Sequence, residues 1–251
     1  MSLPRVLVTG GGRGVGAAIV KTLALAGFHV VFTVRTATAE AEALIAAIAA
    51  EKPDAALEVR PLDLADKAAV AAFADALGEE PAYFGFVHNA GMSYDTLAAM
   101  VDQSRAEELM QVNYWSFVRI AGALVRPMTR ARAGRIVAVG SIAGEVANPG
   151  NGVYSGSKAA LAAYCRTLAI ESARRGITVN TVAPGFVDTA MLERYAAYRA
   201  NVEKQVPLGR FARPEDVAAL VGFLLSPGAA YITGTTIPVD GGLTAALAIQ
   251  R

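Results

Sequence analysis

Short unbroken runs of apolar residues alternate along the chain with longer stretches whose apolar positions recur at helical spacing. The runs are Val6-Leu7-Val8, Val30-Val31-Phe32-Thr33-Val34, Leu57–Arg60, Gly85-Phe86-Val87-His88, Ile136-Val137-Ala138-Val139-Gly140, Thr178–Ala183 and Thr236-Ile237-Pro238-Val239. Between them lie helical patterns at Ala17–Ala24, about 39–51, Lys67–Leu77, about 104–131, the stretch after Tyr154, and Pro214–Leu225. Continuous apolar runs belong to strands covered on both faces. Their alternation with helices predicts an α/β fold, a doubly wound parallel sheet of about seven strands with helices on both faces. Asp66 is the expected cap of the helix that starts at Lys67. No repeat, linker or low-complexity segment divides the chain, so one domain is expected over residues 1–251.

The first run ends in Thr9-Gly10-Gly11-Gly12-Arg13-Gly14-Val15-Gly16 and a helical pattern follows directly. Strand, glycine turn and helix open a Rossmann-type unit, where glycine lets the backbone approach a pyrophosphate and the helix N-terminus offers free N–H groups. Gly10, Gly12, Arg13, Gly14, Val15 and Gly16 are therefore assigned to cofactor binding. The second run ends at Arg35-Thr36, where an NAD-binding unit places Asp or Glu against the ribose 2′-hydroxyl. No acidic residue precedes Glu40, and Arg13 and Arg35 are suited to fork onto a 2′-phosphate. Arg35 and Thr36 point to NADP(H) over NAD(H).

Composition narrows the classes. The chain has 251 residues, is 54% hydrophobic and 18% charged, and carries a net charge of +1. That supports a large core and gives no strong field toward nucleic acid or an anionic membrane. One cysteine and two histidines exclude an intrachain disulfide and a Cys/His zinc centre, and no metal is expected. With no signal-peptide pattern before Val6 and no apolar stretch of about 18 residues, the expectation is a cytoplasmic protein.

Tyr154 and Lys158 stand four apart in a strongly helix-forming stretch. Residues i and i+4 share a helix face, and an ammonium near a phenol favours the phenolate. Such a tyrosine can exchange a proton with a substrate oxygen near neutral pH. Ser141 ends the fifth strand and Asn89-Ala90-Gly91 follows the fourth. In open parallel sheets ligands bind outside the carboxyl ends of the strands, so these residues converge on one edge with the glycine loop. Asn113 sits among Leu109, Met110, Val112, Trp115 and Phe117, and its amide needs partners there.

With these residues assembled, the chain resembles the short-chain dehydrogenase/reductase family over nearly its whole length. The motifs are Thr9-Gly-x-x-x-Gly14-x-Gly16, Asn89-Ala90-Gly91, Asn113, Ser141, Tyr154-x-x-x-Lys158 and Pro184-Gly185. Arg13, Gly140-Ser141, Asp95, Pro184-Gly-Phe-Val-Asp-Thr189 and Asp240-Gly241-Gly242 resemble the bacterial 3-oxoacyl-(acyl-carrier-protein) reductases. The variants Asn113-Tyr-Trp-Ser and Ala147-Asn-Pro-Gly look closer to the branch serving aryl-polyene or polyketide-like lipid assembly. The resemblance implies NADPH-dependent reduction of a 3-oxoacyl thioester on an acyl carrier protein.

It also implies roles. Tyr154 would protonate the carbonyl oxygen, Ser141 hold it, Lys158 bind the nicotinamide ribose and lower the tyrosine pKa, and Asn113 support a proton-relaying water. Asp63 and Leu64 would flank the adenine, Asn89, Ala90 and Gly91 line the cofactor, and Pro184, Gly185, Val187 and Thr189 complete its site, the last two at the carboxamide. Arg132 and Arg175 would face an acidic carrier protein, and a homotetramer is expected, with a homologous subunit as a variant. The cofactor half spans about 1–140, the catalytic and substrate half about 141–251, with a lid near 186–206. Two departures stand out: His88 replaces a common Asn and is expected to be tolerated, and Tyr94 replaces a basic residue before Asp95. The alternatives are a dehydrogenase of a free alcohol or ketone and a non-catalytic cofactor-binding subunit. A DNA-binding role lacks a basic recognition element.

Overall fold

The computed structural model describes residues 3–36, 39–190, 192 and 199–246. Seven strands form one sheet: β1 (Arg5–Thr9), β2 (His29–Val34), β3 (Leu57–Pro61), β4 (Gly85–His88), β5 (Gly134–Val139), β6 (Ile177–Pro184) and β7 (Thr236–Val239). Their order is β3-β2-β1-β4-β5-β6-β7 and every neighbouring pair is parallel. The order reverses between β1 and β4, which opens the crevice where an α/β sheet takes its ligand.

Helices α1 (Gly14–Leu25), α2 (Ala39–Glu51), α3 (Lys67–Glu79), α4 (Gln103–Met110), α5 (Ser116–Ala131), α6 (Gly152–Ser172), α7 (Arg199–Glu203) and α8 (Pro214–Leu225) complete the described chain. Alternate strand residues face opposite sides. Val6 and Val8 pack with Ile19, Leu23, Val217 and Val221 on one face of the sheet. Leu7 turns the other way, into a cluster with Phe86, Phe117, Ile120, Leu124 and Leu161. Leu7 is fully buried, so truncation to Ala removes about 2–5 kcal/mol.

Two sequence expectations change in detail. The helix after the glycine loop starts at Gly14, earlier than its apolar pattern suggests, because the turn itself is its first turn. The long helix near 104–131 is broken by a π-turn at Gln111–Trp115, where the Ser116 N–H reaches back to the Gln111 carbonyl. Phe117, Ile120 and Leu161 are fully buried and Tyr164 packs against them, whereas Trp115 is exposed. Asp66 caps α3 as expected, accepting from the Ala68 and Ala69 N–H groups. Of the expected lid, 191 and 193–198 lie outside the described residues; the remainder includes α7 and a bridge between Val187 and Ala212.

Candidate active site

The glycine loop is shaped by contacts that exclude side chains. Gly10 and Gly14 take φ values of 65° and 54°, in the left-handed region that favours glycine. A Cβ on Gly16 would fall 2.0 Å from the Gly10 carbonyl oxygen, so the turn closes only around glycine there. The Gly10 N–H donates to Thr33 Oγ1 at 3.2 Å and the Gly11 N–H to the Thr33 carbonyl at 2.9 Å, which binds the loop to β2. No side chain caps α1, so the loop leaves first-turn N–H groups for an anion.

The chain's own residues fit a phosphorylated dinucleotide at this edge. Arg13, Arg35 and Thr36 are exposed, and neither arginine forms an ion pair among the described residues. Leu62 N–H donates to the Val34 carbonyl at 2.7 Å, which brings Asp63 and Leu64 to the end of β2. Asp63 turns back to accept from Ala65 N–H at 2.9 Å. Asn89 donates from Nδ2 to the Gly10 carbonyl at 2.9 Å and so holds Asn89-Ala90-Gly91 against the loop. Gly185 N–H bonds to the Val239 carbonyl at 3.0 Å at the end of β6, just beyond Pro184. Thr189 Cγ2 lies 3.3 Å from where a Gly14 Cβ would stand, so the Val187–Thr189 segment reaches the same loop. The fold thus brings the assigned cofactor residues to one sheet edge.

The residues expected to handle protons come from α6, the end of β5 and the π-turn. Ser141 caps a 3₁₀ turn over Ile142–Gly144, its Oγ accepting from Ala143 N–H at 3.1 Å. That leaves the hydroxyl hydrogen available to a substrate oxygen. A Cβ on Gly144 would lie 3.1 Å from Ala159 N, so glycine allows this turn to pack flat on α6, beside Tyr154 and Lys158. Lys158 Nζ donates to the Val139 carbonyl at 2.9 Å and stands 5.8 Å from the Tyr154 ring centroid. Burial pushes its pKa down to about 8. The lysine remains a cation at neutral pH, with no carboxylate partner among the described residues.

Asn113 is fully buried and clamped: Oδ1 accepts from Met92 N–H at 2.9 Å, and Nδ2 donates to the Met92 carbonyl and to Ser157 Oγ, both at 3.0 Å. Ser157 in turn donates to the Tyr154 carbonyl at 2.7 Å. Gly91 completes the group, since a Cβ there would meet Lys158 Nζ at 3.3 Å and Asn113 Oδ1 at 3.4 Å. Met92, Ser157, Gly144 and the Val139 carbonyl were not singled out in the sequence. Ser157 sits between Tyr154 and Lys158, and its small hydroxyl on the inner face of α6 was the available signal.

Two expected residues fall elsewhere. Arg132 and Arg175 flank the starts of β5 and β6, about 20 Å along the strands from Ser141. Arg132 donates to the Arg174 carbonyl at 3.3 Å and holds a left-handed φ of 54° that a glycine would occupy without strain. Tyr94 is a pin rather than an open mouth: its hydroxyl accepts from Asp102 N–H at 2.9 Å beneath the Arg105 guanidinium.

Known proteins are similar to this chain in sequence and fold. A family described as Enoyl-(Acyl carrier protein) reductase matches residues 10–244. The 3-oxoacyl-[acyl-carrier-protein] reductase FabG of Pseudomonas aeruginosa is 39% identical over 241 residues, covering 94% of this chain and 96% of its own. The FabG of Escherichia coli is 38% identical over 244 residues, with the same coverage. Among solved structures, a gluconate 5-dehydrogenase from Burkholderia cenocepacia, in complex with NADP and tartrate, superposes with a TM-score of 0.87 at 29% identity over 98% of this chain and 97% of its own. A short-chain dehydrogenase/reductase from Serratia marcescens gives 0.88 at 32% identity over 96% and 98%. The chain belongs to the short-chain dehydrogenase/reductase family of oxidoreductases.

Proposed function

We propose that this chain reduces a 3-oxoacyl thioester, carried on an acyl carrier protein, to the 3-hydroxyacyl thioester with NADPH, in the cytoplasm, as part of fatty-acid or related lipid synthesis. The observation that carries the redox reading is the meeting of Ser141, Tyr154, Lys158 and Asn113 with the uncapped α1 at one sheet edge. The FabG relatives, similar over nearly the whole chain, favour the carrier-bound thioester.

Bound NADPH supplies the hydride. The chain supplies the rest: Ser141 directs its hydroxyl hydrogen to the ketone oxygen, and Tyr154 delivers the proton that oxygen takes up. Lys158 keeps positive charge beside the phenol, and Asn113 fixes the wall behind it. Arg13 and Arg35 hold the 2′-phosphate. Exposed Leu97 and Met100 belong to the segment whose Thr96 N–H bonds the Gly150 carbonyl just ahead of α6, an apolar approach suited to an acyl chain. Asp188 and Arg199 pair at both carboxylate oxygens across the segment we read as a lid.

The assay follows NADPH and NADH oxidation in parallel with acetoacetyl thioesters on carrier protein and on coenzyme A. NADPH-dependent turnover of the carrier thioester is expected. A folded protein inert toward both thioesters but oxidising gluconate or a similar free alcohol would replace this reading with the one that the gluconate 5-dehydrogenase similarity favours. Arg13→Ala with Arg35→Ala raises the KM for NADPH at least about tenfold and leaves NADH unchanged. Arg132 and Arg175 are read as the carrier's docking cations. Because they stand far from Ser141 in their own chain, they serve the site of a neighbouring copy in a homotetramer. Arg132→Glu with Arg175→Glu then raises the KM for the carrier thioester alone.

A further inference from the structure

His88 is fully buried at the end of β4, one residue before the cofactor-facing Asn89, and the proposed reaction gives it no task. Its hydrogen bonding is nevertheless determined. Thr9 Oγ1 accepts from Asn89 N–H and from Ala90 N–H, both at 3.2 Å, and lies 3.0 Å from His88 Nδ1. A threonine hydroxyl has two lone pairs and one hydrogen. With both lone pairs engaged, the hydrogen goes to Nδ1, which must be unprotonated.

The ring therefore carries its proton on Nε2. That Nε2 is buried and has no hydrogen-bond partner among the described residues. The Phe117 ring is tilted against it at 5.4 Å and Phe86 at 6.1 Å. Burial, and after it the Lys158 charge, presses the ring toward the neutral form, its pKa down to about 3, against a smaller opposing pull from the Asn113 backbone. The imidazole thus bonds the Thr9 hydroxyl and rests against Phe117 at the start of α5, just after the π-turn whose Asn113 side chain is already clamped by Met92 and Ser157.

We propose that His88 is a positioning residue of the proton-transfer site: a neutral imidazole, protonated on Nε2, that braces the Asn89–Gly91 strip through Thr9 and, against Phe117, the start of α5 beside the Asn113 turn, and so sets where Asn113 and Lys158 stand. An uncharged ring is the form this place requires, because a second cation would confront Lys158 across a buried wall. The inference about the reaction rests on the reductase reading; the tautomer does not.

Two experiments separate those parts. The chain has two histidines, so nitrogen-15 spectra of histidine-labelled full-length protein show two rings, assigned with His29→Gln. His88 is expected as the Nε2–H tautomer with no titration between about pH 6 and 9. An Nδ1–H tautomer, or a ring that titrates in that range, overturns the proposal whatever the enzyme's substrate. Kinetics then compare His88→Phe, which keeps the ring volume, with His88→Asn, which restores an acceptor for Thr9, and His88→Gln, which restores a donor near Nε2. The Phe variant is expected to lose about tenfold in kcat with the NADPH KM within about twofold, and the Asn and Gln variants to recover part of it. Equal kcat in all variants with a lowered melting temperature would show a packing role and overturn it. An inert wild type with the expected tautomer would instead count against the reductase reading.

Discussion

Two clusters of charge show opposite uses of burial. Near the edge where the strands begin, Arg5 donates to Glu80 at 3.0 Å and to Tyr83 at 3.1 Å, and Tyr83 donates to Glu80 at 2.9 Å. Arg60 grips both Glu80 oxygens and also Glu58. The Glu80 carboxyl is held down to about 2, first by the Arg60 guanidinium and then by Tyr83 and Arg5 against a desolvation cost. At the other edge Lys158 is buried with one backbone carbonyl and no counter-charge among the described residues, and its proton is loosened. A saturated cluster staples the chain. A cation denied its partner stores a cost that a bound ligand can relieve, and functional sites are where such perturbed groups gather.

Breaking the catalytic side gives the largest effect. Tyr154→Phe lowers kcat by about a thousandfold with unchanged circular dichroism, since it removes the proposed proton donor alone. Lys158→Met sharpens the contrast because activity and stability should move apart. It lowers kcat by about a hundredfold. Yet at pH 7 it raises the free energy of unfolding by roughly 2–3 kcal/mol, the cost of the depressed lysine pKa. Here the unfolded chain binds the extra proton between about 8 and the ordinary 10.5, so wild-type stability rises through that window. The advantage of the variant should therefore vanish by about pH 10.5 in urea titrations; an advantage that persists there would show mere packing gain.

On the stapled side, Glu80→Gln is expected to cost about 2 kcal/mol and to leave kcat within about twofold. A depressed carboxyl contributes above its unfolded pKa of 4.5, and the contribution is lost as pH falls through about 2, so the gap between wild type and variant closes over that range. The smallest effect belongs to the exposed Arg119–Asp75 pair at 3.0 Å, where Asp75→Ala should shift stability by less than about 0.5 kcal/mol.

The strand runs and the Tyr154–Lys158 spacing were readable because each is a local pattern: period, length and i,i+4 geometry need no knowledge of neighbours. The glycine loop was readable for the same reason, and the family resemblance supplied the roles. What escaped depends on pairing far along the chain. The Thr9–His88 bond exists because β1 and β4 pair with those two residues in register. Gly144 matters because a turn after β5 lies on α6, and Arg132 and Arg175 stand at the far edge because parallel strands separate their starts from their ends. No window of sequence contains both halves of any of these contacts.

The π-turn at Gln111–Trp115 has a meaning for chain length. A turn that closes five residues back instead of four is an α-helix carrying one additional residue. Deleting one position there, Val112 for example, would return the segment to regular winding while α5 could keep Phe117, Ile120 and Leu124 on the core. Asn113 would lose its place in the wall. The buried asparagine is in this sense an insertion accommodated by a helix that could close without it.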